Sequence, residues 1–397
     1  MSQGEHTRAV HPPAAPVLGQ LPLGLPVYRT AAFRFSSAQE YTDVLGGEVA
    51  GYSYSRVDNP TADAFAQAVA ALEGIGLDRE VVGQPFASGM SAISTVLMAL
   101  TRSGAHVVAP REIYGGTYGL LTTVLDRFGV ETSFVDGTDL DAIHSAIRPE
   151  TTVLWGETIA NPTLSVADLP GLAALAREAG IYSVVDSTFA SPAVCRPLEH
   201  GIDVVVHSAT KFLGGHSDAT GGVAIGAPEL MDRVRHHRIE LGGMLAPDEA
   251  FLLHRGLATL PLRVDRHSRS AATVAAGLLG HPAVAGVAYP GLSTHRDHEL
   301  AGKLFDAGRF GGVLTITPHG GRDAGMALVD ALRLVSTATS LGGTRSVVSH
   351  VASTTHRQFS DEALAAAGID AGVVRVSVGL EDADDVLGDL EQALDRL

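Results

Sequence analysis

Between residues 105 and 226 the chain returns again and again to short runs of Val, Ile and Leu. They are AHVVAP (105–110), ETSFVD (131–136), TTVLWGE (151–157), IYSVVD (181–186), GIDVVVHS (201–208) and GGVAIG (221–226). Runs that are apolar with little polar alternation suit strands covered on both faces, as in a parallel sheet. The stretch DLPGLAALAREAG (168–180) between two of them has apolar positions at helical spacing and a closing glycine, as a crossover helix requires. The same helical spacing precedes the first run, in TADAFAQAVAALEG from Thr61 to a stop at Gly74. The expected fold class is therefore α/β, a mostly parallel sheet with helices on both faces.

That pattern does not cover the whole chain. Residues 1–60 carry Pro12, Pro13, Pro16, Pro22, Pro26 and Pro60 with little periodicity, which predicts an extended N-terminal arm that grips a neighbouring subunit. Residues 61–255 form the sheet-bearing unit. From 256 to 397 the helices lengthen and the strands thin out to AVAGVAYP, GGVLTITP and VVRVSVG, with helices near 322–334 and 382–396, as in a smaller C-terminal α+β domain. A chain of 397 residues exceeds what one hydrophobic core usually serves.

Charge and cysteine usage narrow the function. With 28 basic against 44 acidic side chains the net charge is −16, and no Lys/Arg cluster interrupts it, so neither nucleic acid nor an anionic membrane is an expected partner. Cys195 is the single cysteine, which rules out an intrachain disulfide and a cysteine cage for a metal. The start, MSQGEHTRAVHPP, has no basic residues followed by an apolar run, and the expected location is the cytoplasm.

The chemistry concentrates at strand ends. In HSATKFLGGHSD (207–218) a strand runs into Ser208, Thr210 and Lys211, at the sheet edge where open α/β folds bind ligands. A lysine made neutral by enclosure can condense with an aldehyde. Asp186 closes the preceding strand in VVDSTF, so two adjacent parallel strands would bring this acid and this amine to one edge. Pyridoxal 5′-phosphate needs both, an amine for its aldehyde and an acid for its ring nitrogen. A phosphate needs backbone donors, and Ser88, Gly89 and Met90 open a helix in FASGMSAISTVLMAL. Tyr114, in the glycine-permissive EIYGGTYG, could stack on a flat ring. Taken singly, Asp186 also suits a turn cap, Ser88 an ordinary helix cap and Tyr114 a core position. Gly302-Lys303 lacks the spacing of a phosphate-binding loop, and His236 and His237 have no acid or imidazole at metal spacing, so no metal is expected.

In order along the chain, YSYSRVDNPT, ASGMSAI, YGGTY, ETIANPT, VDSTFASP, HSATKFLGGHSDATGG, RGLATLPLR, SLGG, ASTTH and VVRVSVGLED resemble the Cys/Met-metabolism pyridoxal phosphate enzymes. That family includes cystathionine γ-synthase, cystathionine γ-lyase and methionine γ-lyase, and the likeness spans about residue 20 to 396. It implies the PLP-dependent transferase fold type I, with a seven-stranded sheet, and a homotetramer built as a dimer of dimers. By the resemblance Lys211 holds the cofactor and moves protons, Asp186 pairs with the ring nitrogen and Tyr114 stacks on the ring. Gly89, Met90, Ser208 and Thr210 hold the phosphate, Tyr54 and Arg56 reach across to the neighbour's phosphate, Arg375 clamps the substrate carboxylate, and Asn161 and Ser340 line the same region.

The resemblance implies γ-elimination on a sulfur-containing or other γ-substituted amino acid, with γ-replacement on an activated homoserine as the alternative. A reading of another class, a silent paralogue serving as a binding subunit, predicts loss of cofactor residues, whereas all the main positions are filled. Departures from the family pattern bear on substrate more than on fold. Thr339 stands where several members carry glutamate, Arg345 where an acid is common, and Gly116 where typical methionine γ-lyases carry cysteine. ETIANPT lacks a frequent proline, and Ser187 replaces a frequent asparagine.

Overall fold

The computed structural model describes residues 22–306, 308–354, 357, 362, 364 and 368–397. Its larger sheet has seven strands: β1 (Val82–Phe86), β2 (His106–Pro110), β3 (Glu131–Val135), β4 (Thr151–Glu157), β5 (Tyr182–Asp186), β6 (Val204–Ser208) and β7 (Gly222–Gly226). They lie in the order β1-β7-β6-β5-β4-β2-β3. Pairings from β3 across to β6 are parallel, while β7 runs antiparallel to both β6 and β1. All six runs read from the sequence are present. The seventh strand, VGQPF, gave no such signal: its glycine and proline weaken a strand pattern, and Pro85 is accommodated because β1 is an edge strand.

Helices cover both faces, and several begin on a side chain that satisfies a free backbone N–H group. In α2 (Pro60–Glu73) the Asn59 side chain caps Thr61, and in α3 (Gly89–Leu100) the Ser88 hydroxyl accepts from the Ser91 N–H. The crossover helix α6 (Leu169–Ala179) starts on Asp168 and stops at Gly180 in the left-handed conformation. Two apolar layers result. Phe65, Val69, Leu172, Val185 and Val205 belong to one, and Val96, Leu97, Val107, Val184 and Val206 to the other. Neighbouring residues of β5 and β6 thus enter opposite layers, which is why these strands read as continuously apolar.

The second sheet has five strands, β10 (Ser336–Thr337), β11 (Val347–His350), β12 (Val374–Ser377), β9 (Val313–Pro318) and β8 (Val284–Ala288), adjacent in that order. Helices α9 (Leu260–Leu278), α11 (Gly321–Ala331) and α12 (Ala383–Leu394) cover it through Val274, Leu328 and Leu390. The arm corrects the expectation of a purely extended segment. It holds a nine-residue helix, α1 (Ala38–Gly46), capped by Ser37 and ended by Gly47, in which no residue is buried. Its apolar Tyr41, Val44 and Leu45 stand at helical spacing, a short signal inside a proline-rich stretch. Among the described residues no helix is long and apolar enough to cross a membrane.

Candidate active site

The ends of β4, β5 and β6, the loops after β1 and β2, and one strand of the second sheet converge on a cavity of about 650 Å³. Its lining includes Ser88, Gly89, Met90, Tyr114, Asn161, Asp186, Ser208, Thr210, Lys211, Ser340 and Arg375. The parallel pairing of β5 with β6 carries Asp186 and the Ser208-to-Lys211 turn to the same edge. Tyr54 and Arg56 are not part of this lining. Tyr54 is 46% exposed on the arm, with the Arg56 guanidinium 6.0 Å from its ring, and Arg56 Nη1 donates to the Ile239 carbonyl at 2.7 Å.

The amine is set up for covalent chemistry. Burial, and then the nearby Arg375 cation, pushes Lys211 down to about 8, so roughly a tenth is free amine at pH 7, far more than for an ordinary lysine. Its Nζ donates to Ser340 Oγ at 2.9 Å. Ser340 holds φ 111°, a conformation a non-glycine residue adopts at a cost of about 1–3 kcal/mol, and this unusual backbone sets the hydroxyl that meets Nζ.

The opposite side is acidic. Asp186 is raised foremost by burial, although its Oδ1 accepts the Thr188 N–H at 2.9 Å. Glu157, at the end of β4 and in register with Asp186, is raised by burial and then by the Asp186 charge. Glu157 escaped the sequence reading because it looks like the last residue of an apolar strand; the signal it did carry was a buried carboxylate at a sheet edge. Two buried acids side by side are each stabilised as anions by a cation placed against them, and the protonated ring nitrogen of pyridoxal phosphate is such a group.

The phosphate side depends on close backbone approach. A Cβ on Gly89 would lie 2.6 Å from Ser208 Cβ, so the start of α3 packs directly on the end of β6. There the helix N-terminus, Ser208 and Thr210 converge, the donor set an anion requires. The Ser208 N–H is held by Thr188 Oγ1 at 2.8 Å, and the Thr210 hydroxyl is tied to Gly221. Thr188, another residue not singled out in the sequence, thus supports both Asp186 and Ser208.

Arg375 projects from β12 with only 5% exposure; Nη1 donates to Asn161 Oδ1 at 3.0 Å and Nη2 to the Ser340 carbonyl at 3.3 Å. Burial pushes it down to about 10, still a cation at neutral pH, and a buried guanidinium fixed on two sides can grip a carboxylate. Tyr114 caps the short helix α4 (Gly115–Gly119), and its phenol is raised by partial burial and then by Asp186 and Glu157. Gly116 lies against it: a Cβ there would come within 2.5 Å of the Tyr114 ring and 2.9 Å of Met90 Sδ. Thr339 lines the cavity, whereas Arg345 is exposed and is absent from the lining. Ser187 is buried and accepts the Thr158 hydroxyl at 2.9 Å.

The sequence of the chain matches the Cys/Met metabolism PLP-dependent enzymes over residues 7–395. The chain belongs to that family. This Cys/Met-metabolism enzyme is 41% identical over 393 residues to L-methionine gamma-lyase of Pseudomonas putida, covering 98% of this chain and 97% of that protein. It is 40% identical over 392 residues to cystathionine gamma-synthase of Mycobacterium bovis, again over 98% and 97%. Its fold matches, with a TM-score of 0.90 at 33% identity over 96% and 97% of the two chains, a Campylobacter jejuni protein assigned as an O-acetylhomoserine (thiol)-lyase. That structure holds N′-pyridoxyl-lysine-5′-monophosphate. The family's cofactor is pyridoxal phosphate, its fold is type I, and the amine, acid and phosphate sides described above fit it.

Proposed function

We propose that the enzyme performs γ-elimination on a sulfur-containing or other γ-substituted L-amino acid, consuming water and yielding a 2-oxo acid, ammonia and the leaving group. The observation that carries this reading is the convergence of one amine, one buried acid and one buried guanidinium on a single cavity, in a chain about two-fifths identical to a methionine γ-lyase. When bound, pyridoxal phosphate supplies an electron sink that makes hydrogens on the substrate acidic. Lys211 holds the cofactor and, through Nζ, moves the α proton and then a β proton, with Ser340 Oγ orienting that nitrogen. Asp186 would hold the ring nitrogen and keep it charged. Ser88, Gly89, Met90, Ser208 and Thr210 hold the phosphate, and Arg375, steadied by Asn161, holds the substrate carboxylate. Tyr114 covers the ring, and its raised phenol stays protonated at neutral pH, as a donor to a departing γ group requires.

A second reading, γ-replacement on an O-acyl-homoserine, draws support from the cystathionine γ-synthase relative and from the fold match to an O-acetylhomoserine (thiol)-lyase. Offering methionine, cystathionine and O-acetylhomoserine, with and without an added thiol, tests both. Elimination predicts 2-oxo acid and ammonia without any thiol. Thioether formed only with thiol would establish replacement instead, and no product from any of the three would overturn both.

Further features complete this reading. Residues 1–60 serve as an arm that completes a neighbouring subunit's site through Tyr54 and Arg56, 61–255 as the cofactor-binding domain and 256–397 as the C-terminal domain, within a homotetramer. The exposed Tyr54 and the unburied helix α1 support the arm's role. A single, buried cysteine and the acidic charge balance support a cytoplasmic location.

A further inference from the structure

Glu157 is an odd choice on energetic grounds. It is 6% exposed, it stands beside Asp186 across the β4–β5 pairing, and both burial and that neighbour oppose its charge. A glutamine would avoid the repulsion while keeping the same shape, so the carboxylate must do something an amide cannot. Its hydrogen bonds show what. Oε1 accepts the Tyr114 N–H at 2.7 Å, and Oε2 accepts the Asn161 N–H at 3.2 Å. As a carboxylate, the form these two N–H bonds favour against burial and Asp186, Glu157 accepts with both oxygens, whereas an amide offers one acceptor and turns an NH₂ towards the other N–H.

The two backbone groups belong to different loops. Tyr114 follows β2 and presents its phenol to the cavity; Asn161 follows β4, and its Oδ1 accepts from Arg375 Nη1 at 3.0 Å. We propose that Glu157 is a positioning residue that clamps these two loops together and thereby keeps the Tyr114 phenol and the Arg375 guanidinium in register. The inference rests on the roles given to Tyr114, Asn161 and Arg375 above, and nothing in it requires Glu157 to touch the substrate.

Two variants of the holoenzyme separate this role from simple charge. Glu157→Gln removes the second acceptor and keeps the length; Glu157→Asp keeps the charge and withdraws both oxygens by one methylene. The readout is the dissociation constant of glycine, which presents the same α-carboxylate and has no γ group, followed by the visible spectrum of the bound cofactor. Both variants are expected to weaken glycine binding about tenfold, the scale of one lost buried hydrogen bond, with thermal unfolding showing that each is folded. In an Asn161→Ala background the same substitutions should change glycine binding less than about twofold, because the path to Arg375 is already cut. Undiminished effects in that background, or wild-type binding by Glu157→Asp, would overturn the proposal. Glycine binding does not depend on γ chemistry, so a failure of the elimination reading would show in the product panel and leave this result standing.

Discussion

The floor and the rim of the cavity are built differently. On the floor, Glu157, Asn161 and Arg375 are all buried, and each is tied by hydrogen bonds to a neighbour in the site. At the rim, Thr339, Ser353, Thr354 and Arg357 are exposed. A buried, over-determined floor holds its groups in fixed geometry at the cost of desolvation, which is what cofactor chemistry and carboxylate recognition need. An exposed rim can change residue by residue with little effect on stability. On the proposed function, the common chemistry draws on the floor and substrate choice is expected to respond to the rim.

Substitutions on each side should break that contrast or sharpen it. The largest effect is expected from Arg375→Lys, since an ammonium cannot keep both Asn161 and Ser340 while gripping a carboxylate bidentately. The loss is about 1.5–3 kcal/mol of transition-state binding, or roughly tenfold to hundredfold in kcat/KM by steady-state kinetics. The next concerns pH. Lys211 sits at about 8 in the cofactor-free protein, so the rate at which apoenzyme takes up pyridoxal phosphate should rise about tenfold per unit below that value and level off above it. The sign follows from the depressed value: protonated Lys211 dominates below 8 and cannot attack an aldehyde. Stopped-flow absorbance checks both the slope and the break.

Smaller effects follow outward. Gly116→Ala should displace the Tyr114 ring, lower kcat several-fold and leave the glycine dissociation constant nearly unchanged, because the clash falls on the phenol and on Met90 rather than on Arg375. Thr339→Ala should change kcat/KM by less than about tenfold, to an extent that differs among methionine, cystathionine and O-acetylhomoserine. An equal change for all three would remove the rim from substrate choice.

The same contrast explains how much was legible in the sequence. Lys211 could be read because it follows the end of β6 by a short turn, and Asp186 because it closes an otherwise largely apolar strand. Glu157 has the same placement and was passed over, since a lone glutamate after TTVLWG also suits an ordinary strand end. Nothing in the letters around Ser340 announces φ 111°, a conformation that a serine rarely adopts by local preference. Strand β1 and the short β10 and β11 lacked periodic signal, the first for its glycine and proline, the others for length. Helix α1 does carry apolar residues at helical spacing, Tyr41, Val44 and Leu45, but over nine residues in a proline-rich stretch that signal is short.

The central claim is that Lys211 is the amine that holds the cofactor. Borohydride reduction of the holoenzyme fixes pyridoxal phosphate to whichever amine holds it, and peptide mass mapping then locates the added group. The account predicts a single phosphopyridoxyl group, on the peptide that contains Lys211, and none on a Lys211→Ala protein treated alike. The group on Lys303 or on the chain's amino terminus instead, with Lys211 unmodified, would contradict it.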